Sequence, residues 1–403
     1  RSTTSPARKT TPRRPLHEEG WYDEMRSSTQ TEQAIAHQAS HSQMLMQTLA
    51  PARLRESLSL NRPPSIRNAT IAGMQATIAV VVSAIALHCS PWSHMAGFAA
   101  LGGMAALFGR FASPAKRRSM VFTAGCMLTA PVAILSCMAL LGIGPVGMLL
   151  LLSVIAGLLA AVAHRTQIGA PGAVIFVFAA SAAISPIDSV AAWAERVLAT
   201  AAGAITAMIV CRLTDHLRDL DVRLPAPPSI APANSASKQP PLTPGYAPQF
   251  AVRVAACAAI SSLIAYAMDW SHPAWASIGA IAILQGVHLP GTIHRAWQRT
   301  LGTIIGAFIA WVILSAHPSF WQILLVVAIF QFITEIIIGY NYALGQIAIT
   351  PMALLMTALS GHAGATEMAV SRIYDTALGA LVGIVFALVL SSLDERVHLA
   401  RHH

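Results

Sequence analysis

The sequence predicts an all-α integral membrane protein with about 12 transmembrane helices, arranged as two parallel six-helix repeats. Three observations carry that expectation. Of the 403 residues 55% are hydrophobic and 11% charged, with a mean hydropathy of +0.59, whereas ordinary soluble domains are roughly a quarter charged. The apolar residues gather into runs of a length suited to crossing lipid. The two halves of the chain also repeat similar segments in the same order.

A spanning helix needs about 20 mostly apolar residues. Runs at 69–88, 91–108, 119–141, 144–163, 170–187 and 194–213 qualify or nearly qualify in the first half, and 250–268, 274–289, 299–315, 319–339, 342–360 and 370–391 in the second. The second and eighth are the weakest, being short and flanked by Pro91 and Pro273, and read as tilted or partly re-entrant. Residues 1–68 form a basic cytoplasmic tail in which "RSTTSPARKTTPRRP" is low in complexity and expected to be disordered. Residues 29–60 suit a helix lying on the bilayer surface. His37 and His41 share a helical face there, but no further ligand stands near them, so they read as a solvated pair and not a metal site. The first membrane repeat covers 69–213 and the second 249–393, joined by the Pro-rich linker 214–248 and followed by a tail, 394–403.

The positive-inside rule tests this count. With a cytoplasmic N-terminus, the connections after helices 2, 4, 6, 8 and 10 face the cytoplasm, and they hold Arg110, Lys116, Arg117, Arg118, Arg165, Arg212, Arg218, Arg223, Lys238, Arg253, Arg295 and Arg299. The opposite connections hold no Lys or Arg apart from the starts of helices 6 and 12. Both termini are therefore expected inside. A net charge of +9 could suggest nucleic acid, but its basic residues are spread between apolar runs, so a nucleic-acid partner is not expected and the lipid bilayer is. Five cysteines lie within or beside apolar runs without a C-x-x-C pair, which argues against a metal or redox cofactor. A secretory signal is not expected either, because 68 polar and basic residues precede the first apolar run.

The halves align through "CSPWSHMAGFAALGGM" with "WSHPAWASIGAIAIL", "RSMVFTAG" with "RTLGTIIG", and "ERVLATAAGAITAMIV" with "SRIYDTALGALVGIVF". An even number of spans per half relates the copies by an axis along the membrane normal, with a transport pathway expected where they meet. Arg118, Arg196, Arg299 and Arg372 each precede a glycine by seven residues, namely Gly125, Gly203, Gly306 and Gly379. Seven residues is nearly two helical turns, so each arginine and its glycine share a face, and the glycine lets a neighbouring backbone come close. Arg118 and Arg299 can snorkel to headgroups or meet a substrate. Arg196 and Arg372 stand alone on the outer side, and either pair with Glu195, Glu367 or Asp375 or present charge to an anion. Asp375 sits three residues after Arg372, where the first half has Ala199, so Arg196 reads as the freer cation. Glu335 is the carboxylate deepest in an apolar run, with Gln331 and Thr334 beside it. It reads either as a proton-coupling site, with Asp375, or as an ion pair near the interface. Pro351 frees a backbone carbonyl in helix 11 and could turn Gln346 and Thr350, with Tyr342, towards a ligand.

"HPAWASIGAIAILQGVHLPGTIHRAWQRTLGTIIGA" resembles the signature of the fusaric acid resistance and aromatic acid exporter family, through Trp275, Gln285, Thr292, Arg295, Arg299, Gly302, Thr303 and Gly306. "NYALGQIAITPMALLM" is similar to another of that family's segments through Tyr342, Ala343, Thr350 and Pro351. The resemblance is specific over 250–393 and weaker in the first half. It implies an inner-membrane efflux pump of Gram-negative bacteria that expels aromatic carboxylates on the proton gradient, often with a periplasmic adaptor protein. Many members carry a large soluble domain between the halves, where this chain has a Pro-rich linker of about 35 residues. The family is also similar to plant malate channels, whose paired six-helix subunits form one anion pathway. This makes a homodimer a partner to test.

No phosphate-binding loop, nucleophile elbow or zinc-protease motif is present, so no enzyme is expected. The leading expectation is a proton-coupled secondary exporter of small organic anions such as fusaric acid or hydroxybenzoate. A passive anion channel and a non-transporting envelope scaffold are the alternatives. Arg196, Arg372, Arg118, Arg299, Gln346, Thr350 and Tyr342 are the candidate substrate contacts, and Glu335 and Asp375 the candidate proton carriers.

Overall fold

The computed structural model describes residues 65–218, 246–284, 289–359 and 364–389, all within one compact unit spanning 51–390. His37, His41, Gln285 and most of the linker and tails lie outside the described residues. The described residues form twelve α-helices, with no strand among them. In chain order these are α1 (Ile66–His88), α2 (Ala96–Gly103), α3 (Pro114–Leu140), α4 (Pro145–Arg165), α5 (Ala173–Ala182) and α6 (Val190–Thr214), then α7 (Tyr246–Ala267), α8 (Ala274–Leu284), α9 (Leu289–Ser315), α10 (Phe320–Ile337), α11 (Tyr342–Ala358) and α12 (Ala365–Val389). Each apolar run of the sequence coincides with one helix.

Local chemistry sets the helix ends. Ser65 and Ser189 accept from the backbone N–H groups of Asn68 and Ala192 at the starts of α1 and α6. Ser319 and Gln322 form a capping box at α10, and the Asn341 side chain accepts from Ala343 and Leu344 at α11. Proline opens α3 and α4, where its missing N–H costs nothing.

Eight of the helices are long and apolar enough to cross a membrane: α1, α3, α4, α6, α7, α9, α10 and α12. The remaining four, α2 with its flanking 3-10 turns, α5, α8 and α11, are shorter apolar helices. Of about 12 expected spans, eight are thus long enough to cross, and the second and eighth, read as tilted or partly re-entrant, are among the four short ones. An 11-residue helix such as α8 rises only about 16 Å, roughly half of a hydrocarbon core. Pro91 and Pro273 foretell the shortness of α2 and α8. In α5, Gly169, Pro171 and Gly172 delay the helix until Ala173, with both glycines at positive φ, and Ala183 ends it. The order long, short, long, long, short, long thus occurs twice along the chain.

Packing follows the same order. In the first half α2 lies against α1 and α6, α6 against α1 and α3, and α5 against α3 and α4. In the second half α8 lies against α7 and α12, α12 against α7 and α9, and α11 against α9 and α10. Between the halves α4 packs on α7 and α1 on α10, while α5 touches α8 and α2 touches α11. Every residue of α2 and α8 is buried. The long helices instead expose large apolar side chains such as Leu150, Leu158, Leu198, Phe308 and Leu381, the surface that lipid requires.

Candidate functional site

The arginine–glycine motifs of α6 and α12 mark where a long helix meets a short one. A Cβ on Gly203 would run into Ala99 O and Gly103 N of α2, and one on Gly379 into Ala276 O and Ala280 N of α8. The two crossings are therefore equivalent. They pair Phe98 with Trp275, one residue out of the register suggested by the two "WSH" triplets. Two turns before its glycine, each arginine lies over that aromatic ring: Arg196 is 5.4 Å from the Phe98 centroid and Arg372 is 5.2 Å from that of Trp275. Both guanidiniums are buried.

Their partners differ. Arg196 donates to Ala183 O at 3.3 Å and Ser185 O at 2.9 Å, satisfying carbonyls just beyond the end of α5. Arg372 has Nε and Nη1 buried with no hydrogen-bond partner among the described residues. Asp375 forms no ion pair with it. Asp375 instead accepts from the Ser371 hydroxyl at 2.8 Å, and its other oxygen is unpartnered. The sequence expectation that Arg196 is the freer cation is thereby reversed, because intrahelical neutralisation of Arg372 gives way to the serine while Arg196 is taken up by backbone carbonyls. The charged groups that face Arg372 are Arg299 and Asp375.

Arg299 opens the buried face of α9, donating to the Tyr342 hydroxyl at 3.3 Å, with Arg295 over the Tyr342 ring at 5.6 Å. The glycines one and two turns on then admit α11: a Cβ on Gly302 would meet Gln346 Cβ at 2.7 Å, and one on Gly306 would meet Thr350 Cβ at 2.7 Å and Ile347 O at 2.8 Å. Ile347 O is the carbonyl that Pro351, lacking an N–H, leaves without its helical donor. Thr350 donates to Gln346 O at 2.9 Å, while the Gln346 amide nitrogen and the Thr303 hydroxyl have no partner among the described residues. Two arginines, one aspartate and several unsatisfied polar atoms thus gather among α8, α9, α11 and α12.

The remaining candidates fall elsewhere. Arg118 is exposed at the first turns of α3, and Gly125 faces Ala204 Cβ of α6 at 3.0 Å instead of a short helix. Glu335 is buried on α10 and forms an ion pair at 3.0 Å with Arg110, so of its two readings the salt-bridged one is present.

Sequence reading missed one cluster. Arg117, fully buried, donates to Asp215 at 3.0 Å, and Arg218 approaches the same carboxylate at 3.8 Å. Burial pulls Arg218 down to about 10, with Arg117 adding to the effect, so it stays a cation at neutral pH. A lone aspartate just past an apolar run that ends among arginines is the signal that could have found this cluster.

A bundle with apolar outer faces and buried short helices defines a multi-pass helical membrane protein. Residues 258–386 match the family described as fusaric acid resistance protein-like. The chain is also 33% identical over 131 residues to the uncharacterized membrane protein YvaC of Bacillus subtilis (strain 168), covering 32% of this chain and 21% of that one. The chain thus spans about a fifth of that relative's length. No solved structure matches.

Proposed function

We propose that this protein is a secondary transporter that exports small aromatic carboxylates, fusaric acid or hydroxybenzoate being examples, across a bacterial inner membrane, coupled to the proton gradient and with both termini in the cytoplasm. The observation that carries the reading is the Arg372 guanidinium, buried over Trp275 beside Arg299 with two nitrogens unpartnered among the described residues. Two buried arginines against one aspartate leave an excess positive charge in a place where leaving it unpaired is costly. A carboxylate satisfies the guanidinium fork, and an aromatic ring suits the indole beside it.

The recurrence of helix order and pairings supports two six-helix repeats related by an axis along the membrane normal. The polar cluster belongs to the second repeat and has no full counterpart in the first, where Ala199 stands opposite Asp375. This supports a substrate site inside that repeat over one on the seam between the two. Proteoliposomes with an imposed pH gradient test the function: wild type accumulates labelled hydroxybenzoate and Arg372→Gln does not. Equal movement by both proteins, or an uncoupled current in place of accumulation, would refute the reading.

A further inference from the structure

We propose that Glu335 is a proton-binding site whose ion pair with Arg110 latches one half of the chain to the other. What the latch serves rests on the transport reading above, whereas its existence does not. Arg110 lies in the turn between α2 and α3, and that turn is bound firmly to its own half. Arg218 donates to Gly109 O at 3.4 Å, to Ala112 O at 3.2 Å and to Arg110 O, and Arg117 donates to Ala106 O at 3.3 Å while gripping Asp215. The side chain of Arg110 leaves this arrangement. It crosses 225 residues of sequence to α10, placing Nη2 3.0 Å from Glu335 Oε2 and donating from Nη1 to Glu335 O at 3.3 Å. The other ion pairs among the described residues, His94–Glu195, Arg117–Asp215 and Arg218–Asp215, stay within the first half.

The surroundings give the carboxyl a second state. Among the described residues Glu335 Oε2 has the ionic contact but no hydrogen bond, and both amide atoms of Gln331 and the Thr334 hydroxyl are buried without partners. Gln331 lies one turn before Glu335 on the same face of α10. When Glu335 takes up a proton, its new O–H has an acceptor waiting in the Gln331 amide oxygen, and Arg110 loses its counter-charge. The charged groups facing Glu335 are Arg110 and Arg117. The facing stretch of α1 (69–80) and the whole of α11 carry none.

The latch sits on the seam itself, since a Cβ on Gly73 of α1 would meet Glu335 Cβ at 3.1 Å and Phe332 O at 3.3 Å. At the equivalent seam, a Cβ on Gly157 of α4 would meet Ala251 O and Ala255 Cβ, and among the described residues no ion pair joins α4 to α7.

A double-mutant cycle on the full chain in detergent, using Arg110→Gln, Glu335→Gln and both together, reads the tie through melting temperature. Coupling between the two positions is expected at alkaline pH and is expected to fall as the pH is lowered and the carboxylate is neutralised. The charge-swapped protein, Arg110→Glu with Glu335→Arg, is expected to melt closer to wild type than either single swap. In proteoliposomes, Glu335→Gln is expected to lose accumulation driven by the pH gradient by about tenfold or more. Coupling that is unchanged between alkaline and acid pH overturns the latch, and accumulation by Glu335→Gln equal to wild type overturns its part in transport. Coupling that responds to pH in a wild type that moves no organic acid upholds the latch and refutes the transport reading instead.

Discussion

A guanidinium laid over an aromatic ring does different work at Arg196 and at Arg372. Removing Arg196 strips donors from the carbonyls of Ala183 and Ser185, so Arg196→Gln should destabilise the fold by about 1–3 kcal/mol, as measured by thermal or denaturant unfolding. Arg372→Gln should instead weaken carboxylate binding by about tenfold or more, with Arg372→Lys intermediate, because an ammonium keeps the charge and loses the fork. Isothermal titration with hydroxybenzoate distinguishes the two variants. Asp215→Ala leaves Arg117 buried and unpaired and should cost about 3–5 kcal/mol. At this scale the sequence was only partly legible. Arg117 and Arg118 are neighbours in one basic run, and the roughly 100° step between successive helix positions puts one inside and the other out. Nor could spacing show that Glu335 meets an arginine 225 positions away.

Between helices, the closest approaches decide the architecture. A methyl group on Gly203 or Gly379 would strike the backbone of α2 or α8, which cannot swing aside as a side chain can. Gly203→Ala and Gly379→Ala should each destabilise by about 1–3 kcal/mol, whereas Gly125→Ala, which meets only the Ala204 methyl, should cost less. Thermal unfolding of the three variants side by side checks the ranking. At all four glycines of the seven-residue spacing, a Cβ would lie 3.0 Å or less from a neighbouring helix, but the identity of that helix was beyond the reach of spacing. Helix existence was read well because apolar runs are long and well separated. Helix length was read poorly at α5, because a tally of apolar residues does not register that Gly169, Pro171 and Gly172 hold the backbone out of the helix.

For the molecule as a whole, helix pairings recur after a shift of six, and the halves meet through α4 on α7 and α1 on α10. Fragments 1–230 and 231–403, expressed together, should therefore copurify as a complex through those two contacts. Failure to associate would mean that continuity through the linker is required. In the sequence, this recurrence is matched by the spaced arginines and glycines. The concentration of polar residues in one copy was visible only as isolated residues, because what joins Trp275, Arg299, Gln346 and Arg372 is their packing.

Since α2 and α8 are walled in along their whole length, they meet no lipid. Acyl chains of different length press on the outer helices alone, which answer by tilting. The innermost helices feel membrane thickness only at second hand, through neighbours whose glycines lie against them.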